Sequence, residues 1–95
     1  MPVKIAVLKE TRPHERRVAL VPAVADKLIK LGADIRMQSG AGDAVKLPDS
    51  AFRSVTFAAD PLQLVADADI VVSVQPPSLE VARAMREGAI LISFI

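Results

Sequence analysis

The densest group of chemically capable side chains is Lys9, Glu10, Thr11, Arg12, Pro13, His14, Glu15, Arg16 and Arg17, followed directly by apolar Val18, Ala19 and Leu20. A guanidinium such as Arg17 can grip a carboxylate or a phosphate through two parallel N–H donors, with Glu15 orienting it or pairing with Lys9. The same residue types also make an ordinary solvated loop whose exposed ion pairs contribute little. His14 is the single histidine, has no acid or base partner at helical spacing, and reads as an exposed residue beside a proline. There is no cysteine, which excludes disulfides, thiolate chemistry and Cys-based zinc sites, and one histidine cannot build a His-rich metal centre.

Two further groupings invite chemistry and support little of it. Gly40, Ala41 and Gly42 suggest a phosphate cradle, but a dinucleotide fingerprint needs a small residue three positions on and an immediate helix. Here Val45 and then Pro48 follow, so a tight turn is expected. Asp67 and Asp69 read as a polar loop entering a strand. Lys and Arg number 12 against 11 Asp and Glu, a net charge of +1, which argues against a nucleic-acid grip or a polybasic membrane anchor. Three phenylalanines and no other aromatic residue give no stacking platform for bases.

The elements that must position these residues follow from periodicity. With 95 residues and 52% apolar side chains, the chain can form one domain at most. Its mean hydropathy of +0.37 comes from short runs, none approaching the roughly 18 to 20 residues of a membrane span. The N-terminus lacks the pattern of a signal peptide, so a cytoplasmic location is expected. Residues 3–8 form a near-continuous apolar strand of the kind covered on both sides. Pro22 opens a helix, with Ala25, Leu28, Ile29 and Leu31 at helical spacing and Gly32 as its stop. Residues 34–39 read as a second strand. One short helix over 48–53 and a short strand over 55–57 follow.

Asp60 and Pro61 then start a helix over 62–66 with Leu62 and Val65 inward. Residues 69–74 are a strand ended by Pro76 and Pro77. Ser78 caps a helix that buries Val81, Ala82 and Met85, turns Arg83 and Arg86 outward and stops at Gly88. Residues 89–95 close as a buried strand. Met37, Met85, Phe52, Phe57 and Phe94 are candidate core residues. The order predicts an α/β three-layer sandwich with a mainly parallel sheet, a flavodoxin-like or Rossmann-like half domain. Ligands in such sheets sit beyond the carboxyl ends of the strands, where the charged loop lies. Ending on Leu91, Ile92, Ser93, Phe94 and Ile95 leaves a core strand without its following loop, so residues 1–95 are expected to be a fragment.

The combination Lys9-Glu10, Glu15, Arg17-Val18-Ala19-Leu20, Pro22, Leu31-Gly32 and Ser39-Gly40-Ala41-Gly42 resembles the N-terminal segment shared by alanine dehydrogenases and the alpha subunit of proton-translocating NAD(P) transhydrogenase. The segments Ala68-Asp69-Ile70-Val71-Val72 and Gly88-Ala89-Ile90-Leu91-Ile92-Ser93-Phe94 fall at matching spacings. In alanine dehydrogenases the strand matching residues 70–74 is followed by a lysine that, with the arginine matching Arg17, handles the substrate carboxylate. This sequence has Gln75 there, and an amide cannot supply that charge. The amide, and the ending 91–95, resemble the transhydrogenase branch. The catalytic histidine of alanine dehydrogenases falls after the last residue of this sequence.

The resemblance implies an NAD(H)-binding component on the cytoplasmic side of the bacterial inner membrane, forming a homodimer. It would hold its nicotinamide against NADP(H) on a partner component, with hydride transfer coupled to proton movement through a membrane component. The family's Gly-rich NAD-binding unit falls after residue 95, so no catalytic or nucleotide-contacting residue carries over, and none of the cofactor is expected on this chain alone. Arg17 and Gln75 match cleft-lining positions, with Lys9 and Glu15 beside them. An alanine-dehydrogenase-like enzyme and a non-catalytic α/β binding module stand as the alternatives. Two departures from the family pattern are Val21, where a hydroxyl residue usually precedes the helix-starting proline, and the lack of a turn glycine near Ser54-Val55-Thr56.

Overall fold

The computed structural model describes residues 3–10, 18, 20–52, 55–75 and 77–93. Five strands, β1 (Lys4–Val7), β2 (Asp34–Gln38), β3 (Thr56–Ala58), β4 (Ile70–Ser73) and β5 (Ile90–Ser93), pair in the order β3-β2-β1-β4-β5, and every pairing is parallel. Among the described residues three α-helices lie between strands: α1 (Pro22–Lys30) before β2, α2 (Pro61–Ala66) before β4 and α3 (Leu79–Ala84) before β5. β1 leads outward to β2, whereas β4 leads to β5 in the opposite direction. Because such crossovers keep one hand, the helices α1 and α3 fall on opposite faces of the sheet.

The side-chain alternation of β1 shows the three layers directly. Val7 joins Ile35, Met37, Ala25, Leu20 and Phe52 on the α1 face, with Ile5 packed against them. Ala6 and Leu8 join Leu64, Val65, Ala68 and Val71 on the α2 and α3 face, where Val81, Ala84 and Met85 close over them. A strand buried on both faces must be apolar at successive positions, which is why residues 5–8 show no polar break. Met37, Val7, Val65 and Val71 have no exposed surface.

Local rules account for most helix ends. Pro22 sits in the first turn of α1, and Gly32 takes φ +101 just past its end. Asp60 Oδ1 accepts from the Leu62 N–H at 3.0 Å, and Ser78 Oγ accepts from the Val81 N–H at 3.3 Å. Val21 has the extended backbone of a cap and no side-chain hydrogen bond to give.

Several expectations are corrected. The helix expected over 48–53 is only a 3-10 turn, Asp49–Ala51, after Pro48, which is extended at φ −67, ψ 163; a second 3-10 turn, Asp43–Val45, precedes it, and Arg53 lies outside the described residues. The strand expected over 55–57 is β3, one residue later. In α2 the inward pair is Leu64 and Val65, while Leu62 faces the strand ends. In α3 Ala82 is exposed and Ala84 packs inward; the helix stops at Ala84 because Met85 is already extended. Gly88, at φ +84, serves the turn into β5 instead. β5 is not buried: Ile90 is 56%, Leu91 40% and Ile92 53% exposed. It lies at the sheet edge, and among the described residues no further element covers it.

Candidate functional site

The strand order reverses between β1 and β4, so the loops leaving their carboxyl ends diverge and open a crevice. A cleft of ≈ 350 Å³ occupies that place. Leu8, buried, lies at its floor; Lys9 and Glu10 come from the loop after β1, and Gln38 from the end of β2. Asp60, Pro61 and Leu62 open α2 on one side, and Ser73, Gln75, Pro77, Ser78, Glu80 and Val81 form the other wall.

Backbone hydrogen bonds join three of these walls. The Lys9 N–H donates to Gln38 Oε1 at 2.9 Å, tying the β1 loop to β2. Glu10 reaches the other way: Oε2 accepts from the Val74 N–H at 2.9 Å and Oε1 from the Gln75 N–H at 2.8 Å. The buried Ser73 hydroxyl donates to the Gln75 carbonyl at 2.8 Å. The backbone of residue 75 is therefore held on both its donor and its acceptor side, at the lip of the cleft.

Of the four residues singled out from sequence, the structure brings Lys9 and Gln75 to this cleft, while Arg17 and Glu15 lie outside the described residues, as does His14. Glu10, Gln38 and Ser73 were not singled out. Their partners are mostly backbone groups, and those of Glu10 are 64 and 65 positions away, so residue type and spacing carry little sign of them. The available signal was the acidic residue two positions past an apolar strand, together with a second strand ended by prolines, where ladder bonding stops and amide donors need another acceptor. Among the described lining residues the ionisable groups are one cation, Lys9, and three carboxylates, Glu10, Asp60 and Glu80.

The Gly40, Ala41, Gly42 run is a turn in which the Gly40 and Ala41 N–H groups and the Gly40 and Gly42 carbonyls are bonded within the chain. The Gly40 N–H donates to Asp49 Oδ1 at 2.9 Å, and Gly40 and Gly42 carbonyls accept from Asp43 and Val45. A carboxylate on that amide repels a pyrophosphate, and a 3-10 turn follows rather than a helix, so these residues do not fit a nucleotide's phosphates. Gly42 is there for space: a Cβ would lie 2.3 Å from the Leu47 carbonyl oxygen.

At the opposite end of the sheet, Lys4 Nζ meets Asp67 at 2.9 Å, the Lys4 N–H donates to Asp69 Oδ2 at 2.8 Å, and Arg86 pairs with Asp69 Oδ1. The Lys4 side-chain hydrogen bond and its charge hold the Asp67 carboxyl below its ordinary range. The Lys4 amide and then the Arg86 hydrogen bond do the same for Asp69. These two aspartates thus pin β1 to β4 and to the turn before β5, far from the cleft.

Residues 6–95 match the family model described as "Alanine dehydrogenase/PNT, N-terminal domain". The chain belongs to this family. Among its relatives, the first portion of NAD(P) transhydrogenase subunit alpha of Rhodospirillum rubrum is 39% identical over 98 residues, covering 95% of this chain and 25% of that polypeptide. Alanine dehydrogenase of Halomonas elongata is 34% identical over 95 residues, covering 98% of this chain and 26% of that enzyme. The crystal structure of transhydrogenase from Sinorhizobium meliloti superposes with a TM-score of 0.89 at 28% identity, over 97% of this chain and 28% of that one. The N-terminal-domain fold of the family is therefore present, and the sequence lies slightly nearer its transhydrogenase relatives. The chain spans about a quarter of the length of the curated relatives it matches. Both groups of relatives are named as oxidoreductases, and among the described residues no helix is long and apolar enough to cross a membrane.

Proposed function

We propose that residues 1–95 are the opening portion of the NAD(H)-binding component of a proton-translocating NAD(P) transhydrogenase, with the nucleotide-gripping unit lying outside these residues. The observation that carries this reading is Gln75: the residue held by its backbone at the lip of the cleft is a neutral amide. In the alanine dehydrogenases that this segment resembles, a lysine at this place handles the substrate carboxylate, and an amide cannot supply that charge. The identity to the Rhodospirillum rubrum transhydrogenase alpha polypeptide supports the same branch.

In this reading the domain contributes positioning and a shaped wall, while the nicotinamides carry the hydride chemistry. It works on the cytoplasmic side of the bacterial inner membrane, in a homodimer of the NAD(H) component, together with an NADP(H)-binding component and a membrane component. The alanine dehydrogenase reading is kept because the Halomonas elongata enzyme is 34% identical. The two separate in one experiment on the full-length polypeptide with its partner components. Deuteride should pass from 4-deuterated NADH to NADP+, and L-alanine should give no NAD+ reduction. Alanine-dependent reduction without transfer between nucleotides would overturn the transhydrogenase reading.

A further inference from the structure

The geometry points to Glu10 as a positioning residue that sets Gln75 at the cleft and influences hydride transfer only through that residue. Val74 is 2% exposed, so its N–H lies away from water just where the β4 ladder ends. An amide donor in that position needs an acceptor from the protein. Glu10 supplies one oxygen to it and the other to the next amide, at 2.9 and 2.8 Å. Two charge-assisted bonds from one rigid carboxylate fix orientation as well as distance. The Ser73 hydroxyl on the Gln75 carbonyl then leaves the peptide groups on either side of residue 75 little freedom to turn.

Both oxygens of Glu10 are engaged with backbone donors, so it is placed to hold the loop rather than to move a proton in the cleft. The clamp also spans the point where the strand order reverses, joining the two loops that must keep a constant separation for the cleft to keep its shape. Glu10→Gln has nearly the same size and retains one acceptor oxygen, but its NH2 group faces an N–H donor.

The inference rests on the transhydrogenase reading for its kinetic arm only. In the full-length polypeptide, Glu10→Gln should speed hydrogen exchange at the amides of residues 74 and 75 at least tenfold, with residues 5–7 unchanged. Unchanged exchange at 74 and 75 overturns the clamp, whatever the enzyme's activity. In deuteride transfer, Glu10→Gln and Gln75→Ala should each lower kcat/KM by about five- to tenfold, and the double variant should be no worse than Gln75→Ala alone. Factors that multiply in the double variant overturn action through Gln75. Glu10→Asp, which keeps the charge on a shorter arm, should recover some of both the exchange protection and the rate; no recovery in either overturns the role assigned to the carboxylate. Should the wild type transfer no deuteride, the functional reading fails while the exchange result still decides the clamp.

Discussion

Lys4 contributes to two different bonds at the lower end of the sheet: its backbone N–H goes to Asp69 and its ammonium to Asp67. Because both carboxyls are held below the ordinary value of 3.8, the unfolded chain takes up their protons at a pH where the folded chain still keeps them ionised. Their stabilisation is therefore complete above the ordinary carboxylate range and declines as the pH falls through the lowered folded values. Urea midpoints measured from about pH 6 down to about pH 3 should fall with pH, and Asp69→Asn should flatten some of that decline. An equally steep decline in the variant would show that Asp69 carries none of it. Glu10 illustrates the complementary case, a carboxylate given to backbone amides at the other end of the same strands.

Among the elements, those whose signals are local were legible. Residues 5–8 could be read as a doubly covered strand because four successive apolar residues have no one-sided alternative, and Asp60 and Ser78 could be read as caps because their acceptors lie two and three residues from the donors. What was not legible depends on close tertiary approach. The 3-10 turn at 43–45 sits where Gly42 lies against the Leu47 carbonyl, a close approach that no propensity scale contains. The early end of α3, where Met85 is already extended, has no local sequence signal, and the bonds from Glu10 to Val74 and Gln75 bridge two loops. Val21 offers a direct check at this scale. Its cap geometry is already extended and its side chain 43% exposed, so Val21→Ser adds the missing acceptor without crowding the core. The substitution should stabilise the fold by about 1 kcal/mol, seen as a raised urea midpoint at constant slope. An unchanged or lowered midpoint would count against the cap assignment.

The whole molecule presents one finished face and one open one. The three layers bury Ala6 and Val7 of β1, Ile35 and Met37 of β2 and Val71 and Ser73 of β4, while β5 leaves Ile90, Leu91 and Ile92 exposed on a parallel strand, a position that in such sheets is normally covered. The cleft above β1 and β4 has its floor and walls, yet in the Gly40–Gly42 turn the Gly40 and Ala41 amides are taken by Asp49 and Gln38 oxygens. On the proposed reading the nicotinamide cofactor is gripped by polypeptide outside residues 1–95. The most direct measurement is a fluorescence titration of NADH into the 95-residue polypeptide and, in parallel, into the full-length protein. The full-length protein should give a saturable change and the 95-residue polypeptide none; saturable binding by the 95 residues alone would contradict the account.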